Sequence, residues 1–138
     1  MKTRLLSWSE LVEWVKTQPA GFAMAILFGG DRLSCCDEAV GLEVQGKIVS
    51  VATIAPKGEE LSGQPTIEAL YTVSEFRHRG YAGMVFRAAI KRCRERGFSR
   101  VRVDVMSRYA MRLIESLDTK DRDYLDVHDG GSIMDLIS

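Results

Sequence analysis

The segment Leu70-Tyr71-Thr72-Val73-Ser74-Glu75-Phe76-Arg77-His78-Arg79-Gly80-Tyr81-Ala82 joins a strand to a helix. Before it, Thr66–Val73 alternates as a strand does, with Ile67, Ala69, Tyr71 and Val73 on one face and Glu68, Leu70 and Thr72 on the other. After it, Gly80 to Arg96 reads as a helix, because Ala82, Phe86, Ala89, Ile90 and Cys93 form a continuous apolar stripe. Gly97 ends that helix, and Arg100–Met106 follows as a strand with Val101, Val103 and Val105 on one face. Strand, crossover helix and strand make a parallel β-α-β unit. At the helix start, Gly80 and Ala82 remove side-chain bulk where the backbone turns. The first amide N–H groups then point at open space, with the positive end of the helix dipole behind them. Such a turn binds a pyrophosphate. Neither the Gly-x-Gly-x-x-Gly nor the Gly-x-x-x-x-Gly-Lys-Ser/Thr fingerprint is present, so neither nucleotide fold that carries them is supported.

Outward from this unit, Ser7 and Glu10 form a capping box for a helix carrying Trp8, Leu11, Val12 and Val15, stopped by Pro19. Arg4–Leu6 is the only candidate for a strand ahead of it. Gly21–Phe28 reads as a short buried helix closed by Gly29-Gly30. Val40–Val44 and Lys47–Ile54 flank Gln45-Gly46 as a hairpin. Ser107 caps a later helix with Ala110, Leu113, Ile114 and Leu117 at helical spacing. The tail reads as a second hairpin, Tyr124–His128 and Ile133–Ile137 about Asp129-Gly130-Gly131. An exposed edge on that hairpin would suit pairing with a second subunit, so a homodimer is one reading. The pattern predicts an α/β (α+β) fold over residues 1–138 as one domain. Its central sheet is mixed and mostly antiparallel, with one parallel crossover and helices on both faces.

The 138 residues include 19 basic and 19 acidic side chains, and 46% are apolar. That is ordinary globular composition, which excludes a disordered or collagen-like chain. No apolar run approaches the ~20 residues that cross a bilayer, and the N-terminus lacks a secretory leader pattern, so a cytoplasmic protein without membrane partners is expected. Cys35, Cys36 and Cys93 form no disulfide framework, and with only His78 and His128 as histidines no metal site is expected. The zero net charge argues against bulk binding to nucleic acid. It is a cancellation: residues 77–102 hold nine basic side chains and one acid, residues 1–76 a surplus of four acids, and residues 115–138 a surplus of five. The positive stretch bears the anion-binding turn, so it is expected near a phosphate-rich ligand, with the acidic flanks nearer a cation. Arg77 and Arg79 have the best claim on phosphate, while much of the remaining basic block suits a solvated helix face.

The thirteen-residue segment, with its strand and helix, resembles the signature of the GNAT superfamily of acyl-CoA-dependent N-acetyltransferases, whose motif is Arg/Gln-x-x-Gly-x-Gly/Ala. The resemblance spans roughly residues 38–118. It implies the GNAT fold and transfer of an acetyl group from acetyl-CoA to a small-molecule or peptide amine by direct attack, without metal. It also implies that the backbone of Tyr71, Thr72 and Val73 pairs with the pantetheine arm and that the Val73 amide polarises the thioester carbonyl. The amides from His78 through Gly80, Tyr81, Ala82 and Gly83 would cradle the pyrophosphate, with Arg77 and Arg79 facing phosphate. Glu68 stands where several family members carry the general base; a rim carboxylate or an ammonium anchor are its other readings. Cys93 lies on the apolar stripe, which disfavours it as a nucleophile.

The chain departs from the family in the next helix. The usual Asn place falls on Ser107, which remains a cofactor-binding candidate, and the usual Tyr place falls on Ile114, which cannot donate a proton. Tyr109 is the nearest substitute acid. That departure supports an alternative, a catalytically weak or inactive acyl-CoA-binding module on the same fold; a nucleic-acid adaptor ranks third. Trp8 and Trp14 are read as core or acceptor-pocket residues. Asp37-Glu38 and Glu59-Glu60 are read as solvated loops or attractors of an amine, and Tyr124, Asp126 and His128 as exposed strand residues or acceptor contacts.

Overall fold

A computed structural model describes residues 1–18, 38–55, 64–105 and 108–129, with the backbone alone at 68, 69, 104, 105 and 129. The reading of Gly21–Phe28 as a helix, the second strand of the tail hairpin, and Cys35, Cys36, Glu59, Glu60 and Ser107 lie outside the described residues.

Among the described residues six strands form one sheet in sequence order: β1 (Lys2–Ser7), β2 (Glu38–Val44), β3 (Lys47–Ala55), β4 (Thr66–Thr72), β5 (Val101–Val105) and β6 (Leu125–Asp129). β1 to β4 pair antiparallel. β4 with β5, and β5 with β6, pair parallel. The sheet is mixed and mostly antiparallel as expected, but it contains a second parallel crossover. The first strand is real: β1 lies along β2 from Lys2↔Glu43 to Ser7↔Glu38. Only Leu6 of β1 is buried, so its charged, exposed edge gave almost no apolar alternation to read. At the β2–β3 turn both central residues have positive φ, Gln45 at 52° and Gly46 at 77°, the geometry of a type I′ turn.

Helices cover both faces. On one side α1 (Trp8–Val15) is held by the Ser7–Glu10 capping box and buries Leu11 and Val15 against Leu6, Ala39 and Val51. On the other, α2 (Tyr81–Glu95) buries Ala82, Val85, Phe86, Ala89, Ile90 and Cys93. These pack with Val40, Leu42, Ile54, Ile67 and Val101. Each large apolar side chain buried there contributes about 1.5–3 kcal/mol. α3 (Arg108–Glu115) joins that layer through Ile114. α4 (Thr119–Tyr124) follows, with the Asp118 side chain accepting the Asp121 N–H at 2.8 Å.

Two departures from simple alternation shape β4. On β3, Ala52 and Ile54 are two residues apart; their partners on β4, Leu70 and Ile67, are three apart. β4 therefore holds one extra residue, a bulge at residues 68–69. The bulge shifts the faces: Ile67 and Leu70 both pack with α2, whereas Tyr71 packs with α1. The expectation that Ile67 and Tyr71 share a face is corrected on that account. Second, β4 pairs with β5 only at Thr66↔Arg102 and Ile67↔Val103. Beyond Ile67 the side of β4 that faces β5 has no strand partner among the described residues.

Candidate active site

The end of β4 is an alternating ladder with one side open. The Val73 N–H donates to Val49 O at 2.8 Å, and the Tyr71 carbonyl accepts from the Ser50 hydroxyl at 3.0 Å. Both groups belong to the β3 side. Successive residues of a strand turn their N–H and C=O groups to opposite sides. Leu70 and Thr72 therefore direct theirs away from β3, into the gap left by β5. The Thr72 carbonyl accepts Arg77 Nε at 3.0 Å, as that direction requires. This corrects two expectations. The Val73 amide is spent in the sheet and turned from the gap, so it is not placed to polarise a carbonyl lying there. The edge offered to an added strand is Leu70 and Thr72, not Tyr71 and Val73.

After β4 the chain makes a single 3-10 turn, Ser74–Phe76, then Arg77 in an extended conformation. His78 takes φ 65° and Gly80 φ 82°. His78 is one of only two described non-glycine residues at positive φ, a conformation that costs free energy and is tolerated where the surroundings impose it. Gly80 is the N-cap of α2 and no side chain caps the helix. The first intrahelical bond is Met84 N–H to Gly80 O at 3.2 Å, which leaves the Tyr81, Ala82 and Gly83 amides outside the helix ladder. A Cβ placed on Gly80 meets no atom within 4 Å, so that flank of the turn is open. At Gly83 a Cβ would meet Arg87 Nη1 at 3.2 Å and Leu113 Cδ2 at 3.7 Å, a measure of how closely α3 approaches the start of α2.

These elements enclose a cleft of about 410 Å³. Its wall on the strand side is Leu70, Tyr71 and Thr72; Arg77, His78, Gly80, Tyr81 and Ala82 line the turn; Tyr109 and Ala110 of α3 close the far side. Of the residues expected to hold a cofactor, the structure thus brings Tyr71, Thr72, Arg77, His78, Gly80, Tyr81 and Ala82 to one cleft. Val73, Arg79 and Gly83 do not line it. Tyr109 does, and its side chain is exposed. Ile114, on which the resemblance sets the family's tyrosine, is buried in the core at 6% exposure. Glu68 sits in the β4 bulge, two residues before Leu70; its side chain is not among those described.

The basic block divides in two. Arg92 and Arg96 both reach Glu38, at 3.0 and 3.3 Å, and Arg94 pairs with Asp121. Arg100 donates to Leu125 O at 2.9 Å. Toward the C-terminal end of α2 three arginines are therefore paired by two acids from the flanking segments, and Glu38 is a clasp rather than an attractor of amines. Arg77 and Arg79 carry no ion pair among the described residues. Each lies over an aromatic ring, Arg77 5.5 Å from Tyr71 and Arg79 5.3 Å from Phe76. At the cleft end of the block the positive charge thus has no carboxylate partner among the described residues.

On the α1 face a second, wider groove of about 710 Å³ runs between α1 and the β2–β3 turn, and Phe76 lines both. Arg4, Glu10, Glu13, Lys47 and Glu75 mark its rim. Arg4 bonds Glu10 at 2.8 Å and holds its carboxyl below the ordinary value. Trp14 lines this groove, donating Nε1–H to Ile48 O at 3.0 Å and meeting Tyr71 edge-on at 6.1 Å, while Trp8 packs against the α1 core. Cys93 is fully buried and burial pushes its thiol up to about 11, so it is a neutral core side chain at physiological pH. Tyr124 ends α4 rather than starting a strand. Its hydroxyl donates to Phe98 O at 2.6 Å, which removes it as an acceptor contact.

The model of the acetyltransferase (GNAT) family matches residues 6–117. The chain belongs to the GNAT acetyltransferase family. Solved GNAT-fold structures agree. A ribosomal-protein-alanine N-acetyltransferase from Brucella melitensis biovar Abortus 2308 is 19% identical with a TM-score of 0.55, covering 74% of this chain and 77% of that one. An aminoglycoside acetyltransferase from an uncultured soil metagenomic sample is 18% identical with a TM-score of 0.59, covering 86% and 88%. The aminoglycoside N-acetyltransferase AAC(6')-Iy, solved in complex with CoA, is 15% identical with a TM-score of 0.58, covering 83% and 88%. At these identities the likeness is one of fold. No curated protein sequence matches the chain. Among the described residues no helix is long and apolar enough to cross a membrane.

Proposed function

We propose that this GNAT chain transfers an acetyl group from acetyl-CoA to an amine acceptor by direct attack in a ternary complex. The observation that carries this reading is the meeting, in one cleft, of the β4 edge that β5 leaves open at Leu70 and Thr72 with the uncapped start of α2. An extended arm with amides suits the first, and a pyrophosphate suits the second. Tyr81, Ala82 and Gly83 would give their N–H groups to the pyrophosphate, aided by the helix dipole and by Arg77. The Leu70 and Thr72 N–H and C=O groups would pair with the pantetheine arm. Leu70, nearest the bulge, would point its N–H at the reacting carbonyl, the role the family resemblance implies for Val73.

Bound acetyl-CoA supplies an activated acyl group, a thioester whose carbonyl carbon an amine attacks; the C–N bond forms, the C–S bond breaks and the sulfur leaves as thiolate. The acceptor's ammonium must first lose a proton, and the attacking nitrogen sheds a second to water as the amide forms. Glu68 is the proposed base, since the bulge puts it two residues from Leu70 on the strand that would hold the arm. Tyr109, exposed on the wall opposite Leu70, is the proposed donor to the thiolate, in place of the buried Ile114. The acceptor is proposed to approach by the α1 groove, where Glu13 and Glu75 would draw a cation and Phe76 connects the two sites. Titration calorimetry with acetyl-CoA, then thiol release over a panel of amines, peptides and aminoglycosides, tests the reading. Absence of acetyl-CoA binding at millimolar ligand would overturn it.

One observation favours the second reading, an acyl-CoA-binding module without turnover: the family's acid position is a core isoleucine. Binding without thiol release on any amine would decide for it.

A further inference from the structure

The Thr72 carbonyl belongs to a stretch of β4 that no strand among the described residues pairs on its β5 side, yet it has a partner. Arg77, five residues on, folds back so that Nε donates to it at 3.0 Å. Its guanidinium carbon lies 5.5 Å from the centre of the Tyr71 ring. The side chain thus closes the open edge of β4 at the place where an incoming strand-like ligand needs an acceptor. Among the described residues no carboxylate pairs with Arg77, although Arg92, Arg94 and Arg96 at the far end of α2 are all paired. The same residue lines the cleft beside His78, Gly80, Tyr81 and Ala82, whose turn is open and carries uncapped amides. An anion seated there draws a guanidinium more strongly than a neutral carbonyl does, because the pair adds the attraction of opposite charges and a bidentate geometry.

From this placement we infer that Arg77 selects the acyl donor: it blocks the Thr72 carbonyl until a pyrophosphate draws the guanidinium off. The inference rests on the proposed use of the cleft for CoA and adds to it a discrimination between donors. A donor with the full nucleotide diphosphate opens the edge by its own charge. A donor ending at pantetheine, with the same arm and thiol but no anion at the turn, must displace Arg77 with nothing to hold it elsewhere.

Two variants separate the block from the trigger. Arg77→Ala removes both. Arg77→Gln keeps the block, because its Nε2–H stands at the same distance along the side chain as Arg Nε–H, but it has no charge to respond to the anion. Arg77 is exposed, so neither change burdens folding. The readout is the dissociation constant of CoA and of free pantetheine, by calorimetry, on wild type and both variants. Relative to wild type, Arg77→Ala is expected to bind pantetheine about 5-fold tighter and CoA about 10-fold weaker. The ratio of the two constants then falls about 50-fold. Arg77→Gln is expected to bind pantetheine as wild type does and CoA about 50-fold weaker, because it keeps the five-fold block and lacks the anion contact. Arg77→Ala that weakens both ligands alike, or leaves pantetheine unchanged or undetectable as in wild type, overturns the inference while leaving the CoA site intact. Wild type that binds neither ligand overturns the use of the cleft, and the inference with it.

Discussion

Glycine at position 80 offers a perturbation whose effects on stability and on binding separate. Gly80 has φ 82° and ψ 7°, and a Cβ there meets nothing within 4 Å. In Gly80→Glu the only steric cost is backbone strain, about 1–2 kcal/mol for an L-residue in the left-handed region. The new carboxylate stands at the uncapped start of α2, where the dipole returns about 0.3–1 kcal/mol. The net loss is about 1 kcal/mol, a fall in Tm of about 3–5 °C. Binding responds far more. A carboxylate about 5 Å from a phosphate charge, at an effective dielectric near 20, costs about 3 kcal/mol, or roughly a hundred-fold in affinity. Gly80→Ala carries the strain without the charge and should bind CoA within about ten-fold of wild type. The assays are thermal unfolding and calorimetric titration with CoA. If Gly80→Glu binds CoA within three-fold of wild type, the turn is not the phosphate cradle and the reasoning fails.

Tyr109→Phe should leave the CoA dissociation constant unchanged and lower kcat about ten-fold, a modest loss because a thiolate leaves readily; an unchanged kcat removes Tyr109 as the acid. Glu38→Gln breaks the clasp to Arg92 and Arg96 and should cost about 1–2 kcal/mol in urea unfolding without altering CoA affinity; an unmoved midpoint contradicts the clasp. Trp14→Phe loses the bond to Ile48 O and should cost about 1 kcal/mol by the same measurement. The buried Cys93 thiol, held protonated in the fold up to about 11, ionises more readily in the unfolded chain, near its ordinary value of 9. Its contribution is therefore complete below pH 9 and lost as pH rises toward 11. Wild type should lose stability over that window more steeply than Cys93→Ala; parallel curves contradict the assignment.

The signature segment was legible because its chemistry is local. Helix α2 declared itself by its apolar stripe, the β2–β3 turn by Gln45-Gly46, and α1 by the Ser7–Glu10 box. What the sequence hid was non-local. One extra residue in β4 reverses which side chains face α2, and nothing in Thr66–Val73 marks it, because a bulge is defined by the partner strand. The same limit misplaced the oxyanion donor: whether Val73 or Leu70 turns its amide to the gap depends on the register with β3. Charge was misleading in another way. Arg92, Arg94 and Arg96 look like a basic face in sequence, and only the fold brings Glu38 and Asp121 to meet them. Helix α4 carries a readable signal in Asp118-x-x-Asp121, but the alternation of Tyr124, Asp126 and His128 favours a strand that starts one residue before β6 does.

The central claim is that acetyl-CoA lies along the outward edge of β4 and ends on the start of α2. Residue-resolved amide hydrogen exchange, with and without CoA, tests it most directly. New protection is predicted at Leu70, Thr72, Tyr81, Ala82 and Gly83, with no gain at Val73, whose amide is already bonded to Val49. Protection confined to the α1 groove, or none at saturating CoA, would contradict it.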